Sequence, residues 1–386
     1  MTDTAELSGG RLGPLHLEHL ALGAAMVPFA GWAMPLRYSS DLAEHQAVRA
    51  AAGLFDLSHR GEIRVAGAQA GAALDYALVG DLSAVGVGRA RYTMMCAADG
   101  GVVDDLVVYR TRADEYLVVA NASNADVVRA ELELRCAGFE ARVTDESAWT
   151  ALVAVQGPRA QEIVTAVTAP ADAGAVAELR YYTGLPATVA GARVLAARTG
   201  YTGEDGFELF VPAAQAAELW RALLAAGGPR GLVPAGLAAR DSLRLEAGMP
   251  LYGNELDRTT TPYDAGLGRV VKLDKTGADG APLDFVGRGP LEARKGSEPA
   301  RVLVGLRGIG RRAARRGYPV VRSATKPDVV VGHVTSGAPS PTLGHPIAMA
   351  YVTPEVSALG TVLAVDVRGR TEPVCVEALP FYRRAQ

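Results

Sequence analysis

Between Arg89 and Ala120 the chain runs through three short apolar segments separated by turn residues, and no other stretch restricts its fold as tightly. Arg89–Cys96 and Val102–Arg110 are predicted strands joined by Ala97-Ala98-Asp99-Gly100-Gly101, a hairpin signal. Arg112-Ala113-Asp114-Glu115 is a second turn, and Tyr116–Ala120 a third strand. The middle strand carries two adjacent carboxylates, Asp104 and Asp105, inside an apolar run. Strand side chains alternate between faces, so Val103, Asp105, Val107 and Tyr109 share one face, and Asp104 shares the other with Val102, Leu106 and Val108. If the turn pairs residue 96 with 103, Tyr92 lies across from Val107, and Tyr92, Asp105 and Tyr109 occupy one face. The competing reading has one Asp facing water and the other capping a turn. The neighbours Leu106-Val107-Val108 imply burial of at least one carboxylate.

Around this hairpin, the chain mixes strands and helices. His16 to Val27 reads as a short helix, and Ser40 with Asp41 caps a helix to about Ala52. Leu54 to Val65 reads as extended around Ser58-His59. Ser123 is expected to cap a helix ending at Gly138. Further helices are expected over Ala213–Ala225 and Ala235–Ala247, the latter stopped by Gly248 and Pro250. From about Pro290 helical periodicity fades, and Val-rich runs alternate with Gly and Pro turns, the pattern of a small all-β barrel. The expected fold class is therefore α+β and multi-domain: an α+β region over 1–286, itself divisible into two subdomains, and a β-barrel over 287–386.

Several chemistries lose support. The net charge of −3 does not suit a chain built to coat nucleic acid or anionic lipid. Cys96, Cys136 and Cys375 form no C-x-x-C pair and read as buried small hydrophobes in a reducing compartment. The six histidines show no i,i+4 pair, so no metal site is expected. Neither a complete G-x-G-x-x-G nor a Walker A nor a G-x-S-x-G occurs. The polar, acidic N-terminus is unlike a signal peptide, and no apolar run reaches the ~18 residues of a membrane span, so a cytoplasmic location is expected.

Seven segments, in order along the chain, carry a resemblance. They are Phe29-Ala-Gly-Trp-Ala-Met-Pro35, Phe55-Asp-Leu-Ser-His-Arg-Gly-Glu62, Gly100-Gly-Val-Val-Asp-Asp-Leu-Val-Val108 and Arg198-Thr-Gly-Tyr-Thr-Gly-Glu-Asp-Gly-Phe-Glu208. Pro234 to Ala247, Thr335 to Gly344 and Pro380-Phe-Tyr-Arg383 follow. Together they resemble the aminomethyltransferase (T-protein) family of the glycine cleavage system. Two positions depart from that pattern: Arg60 stands where Met is common, and Arg269 where Trp is common. The resemblance implies a folate-binding α+β fold with a C-terminal barrel. It also implies an enzyme that takes an aminomethyl group from the lipoyl arm of H-protein, releases ammonia and passes the one-carbon unit to tetrahydrofolate. The alternatives are a tetrahydrofolate-dependent demethylase of the same superfamily and a non-catalytic folate-binding maturation factor.

Residue by residue, the resemblance makes Asp105 the catalytic carboxylate, set where positive charge develops on the transferred carbon near the folate nitrogens. An orienting or electrostatic role is preferred over proton transfer. Glu208 lies on a strand opposite in face to Phe207 and Leu209, and a carboxylate can accept the paired N–H donors of a pterin edge. Tyr92, Tyr109, Asn121 and Tyr201 are expected to line the pocket, with Arg383 near its mouth. Arg240 and Arg244 lie i,i+4 on one helix; Arg240 is expected to contact folate and Arg244 to pair with a structural carboxylate. Residues 287–317 hold nine Arg or Lys against two Glu, a basic segment suited either to solvation or to steering an acidic carrier.

Overall fold

The structure, a computed structural model, describes residues 10–277, 280–323 and 325–384. The chain divides into two compact units, each built from separated segments. One comprises Met1–Leu74, Leu82–Arg91 and Leu106–Asp241, the other Asp75–Asp81, Tyr92–Asp105 and Ser242–Gln386. The chain crosses from the second unit to the first within the strand Val102–Arg112, between Asp105 and Leu106.

In the first unit a six-stranded sheet runs in the order Gly184–Val189, Ala192–Ala197, Gly206–Pro212, Thr150–Gln156, Ala52–Asp56, Leu232–Pro234. All neighbours are antiparallel except the last pair. Period-two patterning sends Val153, Val155, Phe207, Leu209 and Val211 into a core shared with Ile163, Leu219, Trp220 and Leu223 of the helices Ala160–Ala166 and Ala216–Gly227. Glu208, between Phe207 and Leu209, is thereby turned to the other face. A second set of strands pairs Gly61–Ala66 with Glu115–Ala120 and Arg142–Asp145, and Glu115–Ala120 with residues 107–112.

The second unit ends in a closed barrel, with strand order Val302–Gly308, Pro346–Val352, Lys326–Pro339, Pro319–Ser323, Val362–Asp366, Thr371–Glu377. Every pair is antiparallel, and closure abolishes sheet edges. Before the barrel, Met94, Cys96 and Val102 of the predicted hairpin pack with Leu256, Phe285 and Leu291. The hairpin turn needs its glycines: Gly100 has φ +89°, and a side chain at Gly101 would run into the Arg258 carbonyl.

Most predicted elements form, with shifted ends. The first helix is only His16–Ala21; Gly23 at φ +72° closes it, and Ala25–Phe29 is a strand. Ser40 caps the next helix as expected, its Oγ accepting from Ala43 N at 3.2 Å. Ser123 does not cap the helix Ala125–Cys136; Asn124 takes the capping position, without a side-chain bond to the first turn. Pro290 lies inside a short helix, Arg288–Arg294, instead of opening the barrel. No helix among the described residues is long and apolar enough to cross a membrane.

Candidate active site

Alternation along Val102–Arg112 separates the two carboxylates. Val102, Asp104, Leu106 and Val108 are all fully buried, whereas Asp105 and Val107 remain partly exposed. A partly open carboxylate can meet a ligand; a sealed one cannot. Tyr92 Oη donates to Asp105 Oδ2 at 3.1 Å, so the phenol and the carboxylate expected to share a face do meet.

Within the first unit, Glu208 is 7% exposed, and its Oε2 accepts from Tyr109 Oη at 3.2 Å and Thr199 Oγ1 at 2.5 Å. Burial, reinforced by the charge of Glu208, holds the Tyr109 phenol well above its ordinary range, so it stays a donor. Phe210 stacks edge-on against Tyr109 with centroids 5.4 Å apart and fixes the ring.

On the helix Leu237–Glu246, Arg240 lies over the Tyr201 ring, 4.9 Å from its centroid. Arg240 Nη1 is buried without a hydrogen-bond partner. Burial, followed by the like charge of Arg60, pushes this guanidinium down to about 10, leaving it charged at neutral pH. Arg244, one turn on, is fully buried and pairs with Glu255 at 3.0 Å, the structural carboxylate expected for it.

Asn121, just past the end of its strand, accepts from Arg60 Nη2 at 3.3 Å. Arg60 Nε also donates to the Ala120 carbonyl at 3.3 Å. His59 is buried beside them, with Nδ1 unpartnered; burial and the charges of Arg240 and Arg60 press it down to about 3 against the pull of Asp56. Asp56 is itself committed to His19 Nε2 at 2.8 Å and the Ser58 N–H at 2.8 Å. Arg383 is exposed, next to Tyr382, whose N–H donates to the Glu246 carbonyl at 2.8 Å. Arg269, at the position where the resembled pattern commonly has Trp, is exposed.

The structure thus brings together Tyr92 with Asp105, Tyr109 with Glu208, Tyr201 with Arg240, and Asn121 with Arg60. Sequence reasoning did not single out Thr199 or His59. Both lie inside quoted motifs, yet Thr199 meets Tyr109 across 90 positions, and the orphaned Nδ1 of His59 shows only in three dimensions.

Glu62 adds a pH-dependent element. It is fully buried, and neither carboxylate oxygen has a partner. Burial raises its carboxyl well above the ordinary range; Arg60 pulls it down, and Asp145, Asp56 and Glu146 push it further up. The folded chain therefore keeps a proton that the unfolded chain releases above the ordinary carboxylate range. This group's contribution to stability is full in acid and lost as pH rises through the raised value. Glu62→Gln is expected to melt progressively higher than the parent as pH climbs from the ordinary carboxylate range. A melting difference that stays constant with pH would refute the assignment.

Comparison with known proteins agrees over nearly the whole chain. Residues 15–275 match the GCVT N-terminal domain model, and residues 301–383 the glycine cleavage T-protein C-terminal barrel domain model. The chain is 59% identical over 378 residues to an aminomethyltransferase of Saccharopolyspora erythraea, covering 98% of this chain and 100% of the relative. It is 60% identical over 370 residues to that of Streptomyces avermitilis, covering 95% and 96%. The crystal structure of glycine cleavage system aminomethyltransferase T from Bartonella henselae superposes with a TM-score of 0.86 at 36% identity, covering 96% of this chain and 98% of that one. This chain therefore belongs to the aminomethyltransferase family, the T-proteins of the glycine cleavage system.

Proposed function

We infer that this chain transfers the one-carbon unit of an aminomethyl group, carried on the lipoyl arm of H-protein, to tetrahydrofolate, with release of ammonia. The observation that carries the reading is Glu208, an almost buried carboxylate braced by two hydroxyls on a sheet face turned away from the core. A reduced pterin presents paired N–H donors of the kind such an acceptor suits. The unpartnered Arg240 Nη1 offers a donor to a ligand acceptor, since buried polar atoms are almost always paired. These residues fit a folate.

When bound, tetrahydrofolate supplies the nitrogen nucleophile that receives the carbon. Glu208 holds the pterin edge, with Tyr109 and Thr199 fixing the carboxylate's orientation. Tyr201 and Arg240 supply a flat cation–π surface beside it. Asp105, oriented by Tyr92, places a fixed negative charge where positive charge develops on the transferred carbon. Asn121 orients Arg60, and Arg383 is assigned to the mouth of the site. Ammonia release from aminomethyl-loaded lipoyl-H-protein, measured with and without tetrahydrofolate, tests the reading. Release that does not depend on added tetrahydrofolate would defeat it.

The basic segment supplies a docking prediction. Arg311, Arg312, Arg315 and Arg316 are all exposed. Arg312 approaches Glu372 at 3.6 Å and Arg315 donates to the Gly337 carbonyl at 3.2 Å, so Arg311 and Arg316 are the pair to reverse. Surface charges act chiefly on association with an acidic carrier and are screened over ~8 Å at physiological salt. Reversing both to Glu should raise the KM for loaded carrier several-fold at low salt and less at high salt, with turnover at saturation little changed. An unaltered KM and salt response would leave these arginines as a solvated face.

A further inference from the structure

Arg240 and Tyr201 come from separate stretches of chain, a helix and a turn, and one further helix grips both. That helix is Asp41–Ala50, capped by Ser40. From its first turn Glu44 reaches inward and is fully buried. Its Oε2 accepts the Gly236 N–H at 2.9 Å. Gly236 directly precedes the helix Leu237–Glu246, and its carbonyl accepts the Arg240 N–H at 3.1 Å, so it opens that helix's hydrogen-bond ladder. Glu44 Oε1 takes the N–H groups of Tyr38 and Ser39 at 2.7 and 2.8 Å. A Cβ at Gly236 would strike the Leu36 carbonyl, so the chain leading into Tyr38 lies directly against the helix start. From the last turn of the helix Asp41–Ala50, Arg49 Nη1 donates to the Thr202 carbonyl at 2.8 Å and to Glu204 Oε1 at 3.0 Å. Both acceptors belong to the turn that carries Tyr201, and both side chains of the Arg49–Glu204 pair are nearly buried.

These bonds fix geometry as well as adding stability. An N–H at a helix start has no partner within its own helix, and a carboxylate there meets both that orphan donor and the positive end of the helix dipole. Glu44 is sealed from solvent, so it acts on a ligand only through the backbone it holds. The Arg240 guanidinium stands 4.9 Å from the Tyr201 centroid, and a cation–π attraction weakens as that distance opens. Binding groups are only as well placed as the residues that brace them, and a displacement of about 1 Å is enough to be felt in function. Glu44 fixes the helix start one turn before Arg240, and Arg49 fixes the residue next to Tyr201.

We propose that Glu44 and Arg49 are positioning residues for folate binding, which make the helix Asp41–Ala50 a splint that sets Arg240 and Tyr201 at stacking distance beside the pterin. The proposal rests on the folate reading above, and its test separates the two. Calorimetry with tetrahydrofolate compares Glu44→Gln with the parent, and then the same substitution in an Arg240→Met background. Affinity is expected to fall about five- to fiftyfold in the first comparison and hardly at all in the second, because the group being placed is gone. An equal loss in both backgrounds, or none in the first, would overturn the splint. Should Glu44→Gln not fold, Arg49→Met combined with Glu204→Gln removes the other support without stranding a buried charge. Its cost must vanish in a Tyr201→Leu background, and a cost that persists there would overturn the proposal. A readout without ligand completes the test. The guanidinium N–H resonance of Arg240, displaced by the ring current of Tyr201, should move toward that of free arginine in Glu44→Gln, as it does in Tyr201→Leu. If the parent bound no tetrahydrofolate, the folate reading would fail, and this resonance would decide for the splint by moving or against it by staying in place.

Discussion

Asp105→Asn is expected to lower turnover by roughly 10²–10³-fold, the scale of removing one preorganised electrostatic group from a transition state, while leaving tetrahydrofolate affinity largely intact. The two side chains are nearly isosteric, and the amide oxygen can still accept from Tyr92 Oη, so the strand and its hydrogen bond survive. Only the negative charge is lost. Asp104→Asn separates charge from position. Asp104 is sealed among Val102, Leu106 and Val108, and its substitution should act on stability more than on turnover. Tyr92→Phe should fall between, since it loosens Asp105 without discharging it. Single-turnover rates on the three variants decide the matter. Equal losses for Asp104→Asn and Asp105→Asn would cancel the distinction between the two faces of the strand.

Glu208→Gln is expected to weaken tetrahydrofolate binding by about 1–3 kcal/mol, roughly ten- to a hundredfold. An amide offers one acceptor where the carboxylate offers two, and its NH2 opposes the pterin's own donors. The loss should appear in both binding and KM, because the proposed contact would act in the ground state as well as in the transition state. The surrounding hydroxyls of Tyr109 and Thr199 can rotate to serve the amide, so the fold should be kept. Calorimetry showing parent-like folate affinity would remove Glu208 from the site. Tyr109→Phe takes away one of the two braces and should cost less.

The legible parts of this molecule were the ones governed by local rules. The hairpin was readable from the turn Ala97–Gly101 because the glycines there meet a backbone demand, and the Asp104/Asp105 face assignment followed from a period of two. Glu208's orientation followed from the same alternation. Arg244's carboxylate partner was anticipated in kind, although its identity as Glu255 was not. Helix ends were read less well: the pattern ran on from His16 to Val27 because it could not register that Gly23 adopts a left-handed conformation. What stayed hidden was long-range pairing. Nothing near Thr199 announces that it will meet Tyr109, and nothing near Arg60 shows that its acceptors are neutral. The resemblance named the motifs, but an absent partner, such as that of Arg240 Nη1, is visible only once every neighbour has been placed.

The second compact unit is drawn from Asp75–Asp81, Tyr92–Asp105 and everything from Ser242 onward. On the ribosome, the strand bearing Asp105 therefore emerges long before Leu256, Phe285 and Leu291, against which its apolar hairpin packs. Nascent chains usually complete domains from the N-terminus onward, but here the earliest pieces of one unit must wait for the last to be synthesised. Such distant closure slows folding and leaves Met94, Cys96 and Val102 uncovered during elongation. A chain released early, at Asp241, would carry Asp105 on a hairpin that lacks Leu256, Phe285 and Leu291, making premature termination a route to aggregation.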